Sequence, residues 1–327
     1  MPKLRTCELN AMARILVTGG AGFLGSHLVD RLLIENEVVV LDDLSTGFMN
    51  NLRQHEDNVK FLFVEGSITS DDDISKVMSG VDFVYHFAAQ PDVRLSIAQP
   101  LLDFGINVQG SLQLLEAMRL NDVTKIVFAS SGGTVYGDSE ILPTPESTPL
   151  KPISNYGAAK CAVEMYLSSY SELYGFESVS LRLANIIGPR LTHGVIFDFY
   201  EKLKENPNRL EVLGTGLQEK SYIYVTDAIN ATITLAENMS SGYTPVNVGS
   251  GERLKVREIA ELVAKELTEK DVEIHYTGSE RGWSGDVLLT DLDVGLLRKA
   301  GWKQEVSLKQ GVKLYLHWLA ESFGTIK

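Results

Sequence analysis

Tyr156 and Lys160 are the side chains whose types and spacing predict acid–base chemistry in this sequence. They stand four residues apart, at the start of a segment whose apolar pattern predicts a helix to about Tyr174. Residues four apart lie on one helix face, so the lysine ammonium would lie beside the phenol. A positive charge there lowers the pKa of a tyrosine and would let Tyr156 act as a base near neutral pH. Taken alone, the spacing also fits a core tyrosine followed by a solvent-exposed lysine.

A glycine-rich turn near the amino terminus predicts a dinucleotide site. It follows the apolar run 14–17, which predicts a buried strand, and it opens a segment with helical periodicity. Glycines allow a tight turn and a close approach to phosphate, and a helix N-terminus attracts negative charge. The spacing is GxxGxxG rather than GxGxxG, and a plain tight turn is the alternative. The expected cofactor contacts in this turn are Gly19, Gly22, Phe23, Leu24 and Gly25.

Two carboxylates at the end of the next predicted strand favour NAD as the dinucleotide. The strand 37–41 leads directly into Asp42 and Asp43, about 20 residues after the glycines, where a carboxylate holds the adenosine ribose hydroxyls. Asp42 is the expected ribose ligand. A carboxylate there repels the 2'-phosphate of NADP, and no arginine follows within 44–47. An ordinary charged residue at a strand end is the alternative interpretation.

Strands alternate with stretches long enough for helices through the first half of the chain. Further strands are predicted at 59–64, 82–87, 125–129 and 178–183, which favours an α/β fold with a doubly wound parallel sheet. Ligands bind such sheets beyond the carboxyl ends of the strands. Small residues there let a cofactor lie close to the backbone. The segments to inspect are Phe87, Ala88 and Ala89, then 130–134, then Ala184 and Asn185.

The strand–helix rhythm ends at about residue 185, which predicts two lobes. Residues 13–184 are expected to form the cofactor-binding domain. Residues 185–327 are expected to form mostly a smaller α+β lobe for the substrate, with some segments returning to the first domain. Residues 1–12 contain charges without an apolar core, so they are interpreted as a tag or a disordered extension rather than a secretion signal.

Composition narrows the classes of partner. The chain has 327 residues, 44% of them hydrophobic, and a net charge of -13, which disfavours nucleic acid and anionic membranes as partners. An anionic ligand would therefore need a local cationic site. Two cysteines cannot form a disulfide framework or a multi-cysteine metal site. No metal is expected, and the predicted localisation is cytoplasmic.

Taken together, the motifs resemble a known group of enzymes. TGGAGFLGSHL, Asp42, HFAAQPDVRLS, the Asn107 segment NVQG, SSGGTVYGD, YGAAK and NIIGPR resemble the extended short-chain dehydrogenase/reductase superfamily, within it the NAD-dependent epimerases and dehydratases, and most closely the UDP-glucose (UDP-galactose) 4-epimerases of archaeal type. The resemblance covers residues 13 to about 320. It implies a Rossmann fold, tightly bound NAD, and a role in galactose metabolism.

The resemblance also implies a mechanism and a set of catalytic residues. Tyr156 would remove the O4 proton of a UDP-hexose while NAD accepts the C4 hydride, giving a transient 4-keto sugar that is reduced again on its other face. Lys160 would hold the nicotinamide ribose. Four residues before Tyr136, where many relatives carry the relay hydroxyl, this chain has Gly132. Relatives with a Gly-Gly version place the hydroxyl at Ser131, and Thr134 is the reserve candidate.

Further binding residues follow from the same resemblance. For the cofactor, Asn107 and Ile68 match the family pattern, whereas Ser67 replaces the usual adenine-contacting aspartate. For the UDP-sugar, the matching positions are Asn185, Gly194, Val195, Lys220, Tyr222, Arg281 and Asp286. Lys220 stands where many relatives have a pyrophosphate-binding arginine, so it supplies charge without the bidentate fork. Preference for one sugar is expected to be set near Leu289 and Thr290.

Several alternatives remain open within and outside this enzyme class. A 4,6-dehydratase is disfavoured, because Gly132 and Gly133 occupy the place of its usual Asp-Glu pair. A UDP-GlcNAc or UDP-glucuronate 4-epimerase and a UDP-glucuronate decarboxylase are harder to separate from the sequence, and a non-catalytic NAD-sensing protein is a further alternative. The resemblance also implies a homodimer, formed through a four-helix interface of helices around 103–119 and 156–174.

Overall fold

A central parallel sheet organises the chain, which we describe from a computed structural model covering residues 12–278, 287 and 289–326. Residues 1–11, 279–286, 288 and 327 lie outside the described residues. The strands are β1 (Arg14–Thr18), β2 (Glu37–Asp42), β3 (Phe61–Glu65), β4 (Phe83–His86), β5 (Lys125–Ser131), β6 (Glu177–Leu183), β7 (Asn185–Ile187), β8 (Arg209–Val212), β9 (Glu219–Tyr224), β10 (Gly242–Val248), β11 (Glu252–Lys255) and β12 (Glu273–Tyr276).

Within the described part of the chain, seven of these strands form the central sheet, in the order β10-β6-β5-β4-β1-β2-β3. Every neighbouring pair is parallel. The predicted α/β fold with a doubly wound parallel sheet is therefore confirmed. Strand order reverses beside β1, so the carboxyl ends of β1 and β4 border the crevice in which such sheets bind ligands.

Helices cover both faces of this sheet. They are α1 (Phe23–Leu32), α2 (Asp71–Met78), α3 (Val93–Ala98), α4 (Pro100–Phe104), α5 (Ser111–Leu120), α6 (Asn155–Tyr174), α7 (Val195–Glu205), α8 (Val225–Glu237), α9 (Val256–Leu267), α10 (Gly295–Lys299) and α11 (Leu308–Phe323). A π-helical segment, Gly105–Gly110, joins α4 to α5. None of the described helices is long and apolar enough to cross a membrane.

Side-chain alternation along the strands divides the core into two clusters. Leu16 and Val39 point to the face covered by α2, α5 and α6, whereas Val17 and Val40 point to the face covered by α1 and α8. Strands buried on both faces read as continuous apolar runs, which explains why β1 and β2 are recognisable in the sequence. The second cluster continues without a break into the second half of the chain.

The second half of the chain does not form a wholly separate unit. Strand β10 returns to the central sheet and pairs with β6 along its whole length, from Gly242 beside Glu177 to Val248 beside Leu183. Its last residues are buried in the core shared with the sheet. The other strands of this half form two smaller sheets, β11-β9-β7 and β12-β8. Where the boundary between a cofactor domain and a substrate lobe falls remains a prediction.

A buried ion pair lies beside the helix that carries Tyr156 and Lys160. Glu164 on α6 and Arg182 on β6 are almost fully buried, with 2.7 Å between Arg182 Nη2 and Glu164 Oε2. Ser130 and Tyr243 donate further hydrogen bonds to the same carboxylate, from β5 and β10. Burial of a charge requires such pairing and additional hydrogen bonds. The pair therefore ties α6 to three neighbouring strands of the sheet.

Replacing Arg182 by Met should destabilise the protein strongly. The change leaves the Glu164 carboxylate buried without a cation, which costs about 3–5 kcal/mol of unfolding free energy. Urea unfolding followed by circular dichroism measures the loss. Lys313→Met is the control, because it breaks the more exposed Lys313–Glu266 pair, worth at most about 1 kcal/mol. Equal losses for the two variants would contradict this account of the buried pair.

Candidate functional site

Two glycines of the predicted dinucleotide turn lie where no side chain fits. Gly19 has a φ of 71°, and a Cβ there would lie 2.5 Å from the backbone nitrogen of Ala88. A Cβ on Gly25 would lie 2.1 Å from the carbonyl oxygen of Gly19. The turn after β1 therefore packs directly on the backbone that follows β4. This contact brings Phe87 and Ala88 to the same edge of the sheet as the turn, as the sequence predicts.

The amino terminus of α1 faces this turn with free backbone donors. Gly22 is the N-cap residue and provides no side-chain cap, so the N–H groups of Phe23 and Leu24 are among those that need an outside acceptor. A pyrophosphate satisfies such donors and the positive end of the helix dipole. The glycine cradle and the uncapped helix therefore fit the phosphates of a dinucleotide.

Asp42 lies at the carboxyl end of β2, next to the glycine turn. Its carboxylate accepts hydrogen bonds of 2.9 Å from the backbone N–H groups of Ala21 and Leu44. Burial raises the pKa of Asp42, and these two backbone hydrogen bonds oppose the rise. Fixed in this way, the carboxylate keeps acceptor capacity for ribose hydroxyls. Its position fits the predicted ribose ligand.

The expected adenine contacts come together one strand further along the sheet. Ser67 follows β3, and its hydroxyl lies 3.5 Å from Oδ2 of Asp43 at the end of β2. Ile68 is buried, 3% exposed, so it lines the core side of this segment rather than the surface. Ala89 is half-buried just beyond β4. The direct contacts of these residues with a cofactor remain predictions.

Tyr156 and Lys160 lie on one face of α6, as their spacing predicts. The Lys160 ammonium lies 5.5 Å from the centre of the Tyr156 ring and 4.8 Å from that of Phe128. It donates a 2.9 Å hydrogen bond to the carbonyl oxygen of Ala129 on β5. Helix α6 begins at Asn155 because Ser154 caps it by accepting from the Gly157 N–H. The pair is thus held between the start of α6 and the end of β5.

The sequence predicts a lowered pKa for Tyr156 beside the Lys160 ammonium, and the structure does not agree. Burial lowers the pKa of Lys160 to about 8, with Asp103 and Glu164 opposing the change. The pKa of Tyr156 is raised rather than lowered, first by burial and then by Asp103. Desolvation is the larger cause of the raised pKa of Tyr156, and the sequence alone could not reveal it. A base role for Tyr156 therefore needs further positive charge or hydrogen bonds at the phenol oxygen.

The structure explains why glycine occupies position 132. A Cβ there would lie 2.6 Å from the Leu292 side chain and 2.8 Å from the carbonyl oxygen of Arg182. A serine at 132 would therefore clash with the backbone, and the relay hydroxyl must come from a neighbour. Ser131 is half-buried at the end of β5. The hydroxyl of Thr134 is buried and has no partner among the described residues, so both candidates remain.

Asn107 lies in the π-helical segment with its side chain fully engaged. Its Oδ1 accepts from the Gln90 N–H at 2.8 Å, and its Nδ2 donates to the Gln90 carbonyl at 3.0 Å and to Oδ1 of Asp103 at 2.9 Å. These bonds hold the loop after β4, which carries Ala88 and Ala89. Asn107 therefore fits a residue that positions the cofactor loop better than one that contacts the cofactor through its amide.

Two of the predicted substrate residues meet across a parallel strand pair. Asn185 on β7 is the register partner of Tyr222 on β9, and its Nδ2 donates to the Ser221 carbonyl at 3.2 Å. Asn185 is exposed and Tyr222 is buried. Thr290 lies beside the same strand and accepts from the Ser221 N–H at 3.1 Å. The expected substrate amide and the expected selectivity position thus share one edge of β9.

The remaining predicted substrate residues are more scattered. Gly194, with a φ of 88°, is the N-cap of α7, and Val195 is the first residue of that helix. Lys220 on β9 donates to the carbonyl oxygen of Val287, so its ammonium contacts the chain, and its contact with a phosphate stays a prediction. Arg281 and Asp286 lie outside the described residues. Their roles stay predictions.

Two residues that hold the site together carry no separate signal in the sequence. Thr18 ends β1, and its hydroxyl accepts from the Ala88 N–H at 3.3 Å and bonds Nδ1 of His86 at 2.8 Å. Ser96 on α3 accepts from the Tyr156 N–H at 3.1 Å. Both connect strand ends or helix ends distant in sequence. The available clues were that Thr18 begins the motif TGGAGFLGSHL and that Ser96 ends the motif HFAAQPDVRLS.

Comparison with known proteins agrees with this geometry. A sequence model of the NAD dependent epimerase/dehydratase family matches residues 15–249. The chain is 39% identical over 311 residues to a putative UDP-glucose 4-epimerase of Methanocaldococcus jannaschii. The matched region covers 93% of this chain and 98% of that protein. The group predicted from the motifs is therefore confirmed at the level of the family.

Two solved structures are similar over nearly the whole chain. A UDP-glucose 4-epimerase of Thermotoga maritima, solved with UDP-glucose, has a TM-score of 0.86 and 36% identity, covering 94% of this chain and 99% of that one. A UDP-N-acetylglucosamine 4-epimerase of Methanobrevibacter ruminantium, in complex with UDP-N-acetylmuramic acid, has a TM-score of 0.87 and 31% identity, covering 96% and 100%. The similar proteins thus differ in the sugar that their names give.

Replacing Gly25 by Ala should remove NAD from the purified protein. The new methyl group forces the turn away from the Gly19 carbonyl, and a cost of about 1.4 kcal/mol already weakens binding tenfold. Bound NAD is measured by chromatography after denaturation, and affinity by calorimetry. Gly105→Ala is the control, because a Cβ at Gly105 meets nothing within 4 Å. Wild-type NAD content in Gly25→Ala would contradict the proposed cradle.

Proposed function

The chain belongs to the NAD-dependent epimerase/dehydratase family, and from that premise we propose that it is a UDP-glucose 4-epimerase that interconverts UDP-glucose and UDP-galactose. The observation that carries the proposal is the pair of a half-buried Tyr156 and a buried Lys160, held between α6 and the end of β5. It lies at the same edge of the sheet as the glycine cradle. A base for the O4 proton and an acceptor for the C4 hydride could therefore act on one sugar together.

The family and the glycine cradle agree with NAD as the cofactor, which the sequence predicts. When bound, NAD supplies the acceptor for the C4 hydride and, once reduced, the donor that returns it. Gly19 and Gly25 let the turn pack tightly on the backbone around it, which leaves the N-terminus of α1 open to a pyrophosphate. Asp42 would offer oxygens to the adenosine ribose. Lys160 can hold the nicotinamide ribose with donors other than the one given to Ala129, since an ammonium has three.

The chain's own residues have to handle one proton in each half of the cycle. Tyr156 takes the O4 proton as the C4 hydride leaves, and it returns that proton when the hydride comes back on the other face. Ser131 hydrogen-bonds O4 and relays the proton, with Thr134 as the reserve. The Lys160 ammonium favours the phenolate form that Tyr156 must have before it takes the proton, and Tyr156 is a neutral phenol while the 4-keto sugar exists. Atoms and electrons balance within each turnover, so no external oxidant is needed.

The nucleotide part of the substrate has to stay anchored while the 4-keto sugar turns over. Gly194 and Val195 at the start of α7 face the uracil in this proposal, and Asn185 donates or accepts at the phosphate–sugar end. Lys220, Arg281 and Asp286 are proposed to hold the pyrophosphate and ribose. Because the chain has a net charge of -13, an anionic substrate needs local positive charge, which Lys220 and Arg281 would supply.

Sugar selectivity separates the main proposal from its rivals. A similar structure is a UDP-N-acetylglucosamine 4-epimerase, and a 4-epimerase acting on uronic forms uses the same Tyr–Lys chemistry. The loss of a carboxylate pair at positions 132 and 133 argues against a 4,6-dehydratase, since elimination of water needs an additional acid and base. A panel of UDP-hexoses, N-acetyl forms and uronic forms discriminates among these substrates.

Purified protein should convert UDP-galactose to UDP-glucose without added NAD, as followed by a coupled assay for UDP-glucose. Tyr156→Phe should abolish this turnover because the phenol oxygen carries the proton, a loss of about 100-fold or more. Bound NAD should stay at the wild-type level in the variant, which is the control for folding. Retained activity in Tyr156→Phe would remove this tyrosine from the mechanism. Absence of conversion of every UDP-sugar in the panel would refute the epimerase proposal.

We also propose that the chain forms a homodimer through α4, α5 and α6. Large apolar side chains on these helices face outward: Leu101 is 85% exposed, Phe104 is 54%, Met165 is 54% and Leu173 is 66%. Apolar residues grouped on neighbouring helices are a common sign of a protein–protein contact. The continuous helical stretch from α4 to α5 and helix α6, two helical elements from each subunit, would together form the four-helix interface that the family resemblance implies.

A charge on this face should dissociate the dimer. Leu101→Lys places an ammonium at the proposed interface, and sedimentation should then show a monomer where wild-type protein sediments as a dimer at micromolar concentration. Val59→Lys is the matched control, because Val59 is 99% exposed on a different part of the surface. Monomeric wild-type protein would overturn the proposal.

A further inference from the structure

Asp103 is a buried carboxylate to which the proposed mechanism gives no role. It lies on α4 and is 2% exposed. Its Oδ1 accepts from Nε2 of Gln90 at 3.0 Å and from Nδ2 of Asn107 at 2.9 Å. Both donors are neutral amides. They hold the carboxylate in place without neutralising its charge.

Helix α4 packs against α6, the helix of Tyr156 and Lys160. Asp103 interacts electrostatically with both side chains. Lys160 gives its hydrogen bond to a neutral carbonyl, that of Ala129, so among the described residues its charge also lacks a direct counter-ion. A buried ammonium and a buried carboxylate thus stand near each other, each bonded to neutral groups.

The other titratable groups around Lys160 cannot take this role. Glu164, one turn further along α6, forms the buried ion pair with Arg182. His86 at the end of β4 is kept neutral, because burial lowers its pKa to about 3. Tyr156 is itself the group whose proton moves. Among the described residues, Asp103 is therefore the carboxylate that faces the pair without a cation in contact.

We propose that Asp103 is the fixed counter-charge of the Tyr156–Lys160 pair, a positioning residue that keeps the Lys160 ammonium charged and sets the pH window in which the pair exchanges a proton. The inference deepens the proposed function and rests on it for the turnover measurement. A negative charge held near both groups favours the protonated form of each. The residue acts through the pair and does not contact the sugar.

The direction of the pH effect follows from this arrangement. Burial pulls the pKa of Lys160 down to about 8, and the carboxylates of Asp103 and Glu164 oppose that fall. The pH profile of kcat/KM has an acidic and a basic limb. Because Tyr156 and Lys160 interact, the apparent pKa values that these limbs report are those of the pair and not of either residue alone. Removing one negative charge lowers both apparent pKa values, whichever group is assigned to each. A nearby charge typically shifts a pKa by about one unit or more.

Asp103→Asn in the NAD-bound enzyme tests the proposal. The asparagine Oδ1 can still accept from Gln90 and Asn107, so the change removes charge and keeps shape. Both limbs of the kcat/KM profile for UDP-galactose should move to lower pH by about one unit. A merely structural role would lower the rate at every pH with both limbs in place. That result in a folded, NAD-bound variant would overturn the proposal.

Two further variants control the experiment. Asp103→Glu keeps the charge and should restore wild-type limbs. Asp227→Asn removes a carboxylate that is equally buried but bonded to the N–H groups of Glu305 and Val306. It should affect stability without moving the limbs. If Asp103→Asn does not fold, Asp103→Ser repeats the removal of charge, with the same two results deciding the outcome.

A direct titration separates this proposal from the proposed function. Tyrosinate absorbance of the NAD-bound enzyme, with the Tyr156→Phe series subtracted, reports the titration of Tyr156 without any sugar. Asp103→Asn should shift this curve to lower pH. Absence of turnover with every UDP-sugar, together with the shifted curve, would refute the epimerase proposal and leave the counter-charge intact. An unshifted curve would refute the counter-charge whatever the activity.

Discussion

Burial of one ammonium group, that of Lys160, is the constraint on which the arrangement of the site depends. A lysine that is 3% exposed loses its hydration, and the protein must replace it with fixed dipoles and charges. The carbonyl of Ala129 contributes from the end of β5, and the Phe128 ring lies beneath the ammonium. Carboxylates stand nearby on α4 and further along α6. The strand and helix segments around α6 therefore have to be placed so that their polar groups surround the Lys160 ammonium.

Close backbone packing sets the cofactor end of the site in a similar way. Gly19 and Gly25 are required by contacts within the protein, because any side chain there would meet Ala88 or the Gly19 carbonyl. Through these contacts, the loop after β4 packs directly against the turn after β1. Thr18 adds a hydrogen bond to that loop. The cradle is thus built before a ligand enters, which is what a cofactor that stays bound through the cycle requires.

Local patterns predicted much of this from the sequence, whereas tertiary contacts were largely out of reach. Apolar runs located β1 and β2, and the four-residue spacing put Tyr156 and Lys160 on one face, because both signals depend on neighbours along the chain. The return of β10 to the central sheet depends on pairing with β6, far away in sequence. The raised pKa of Tyr156 depends on burial, which no spacing reveals. Asp103 could have been noticed, since it stands four residues before Asn107 in a helical segment.

In the proposed reaction, a hydride leaves C4 of the sugar and returns to the same carbon within one enzyme molecule. UDP-galactose carrying deuterium at C4, incubated with the purified protein and no added NAD, tests it most directly. The UDP-glucose formed should retain the deuterium at C4, as measured by mass spectrometry and NMR. Loss of the label to solvent would contradict it, because C4 would then have exchanged a proton rather than a hydride.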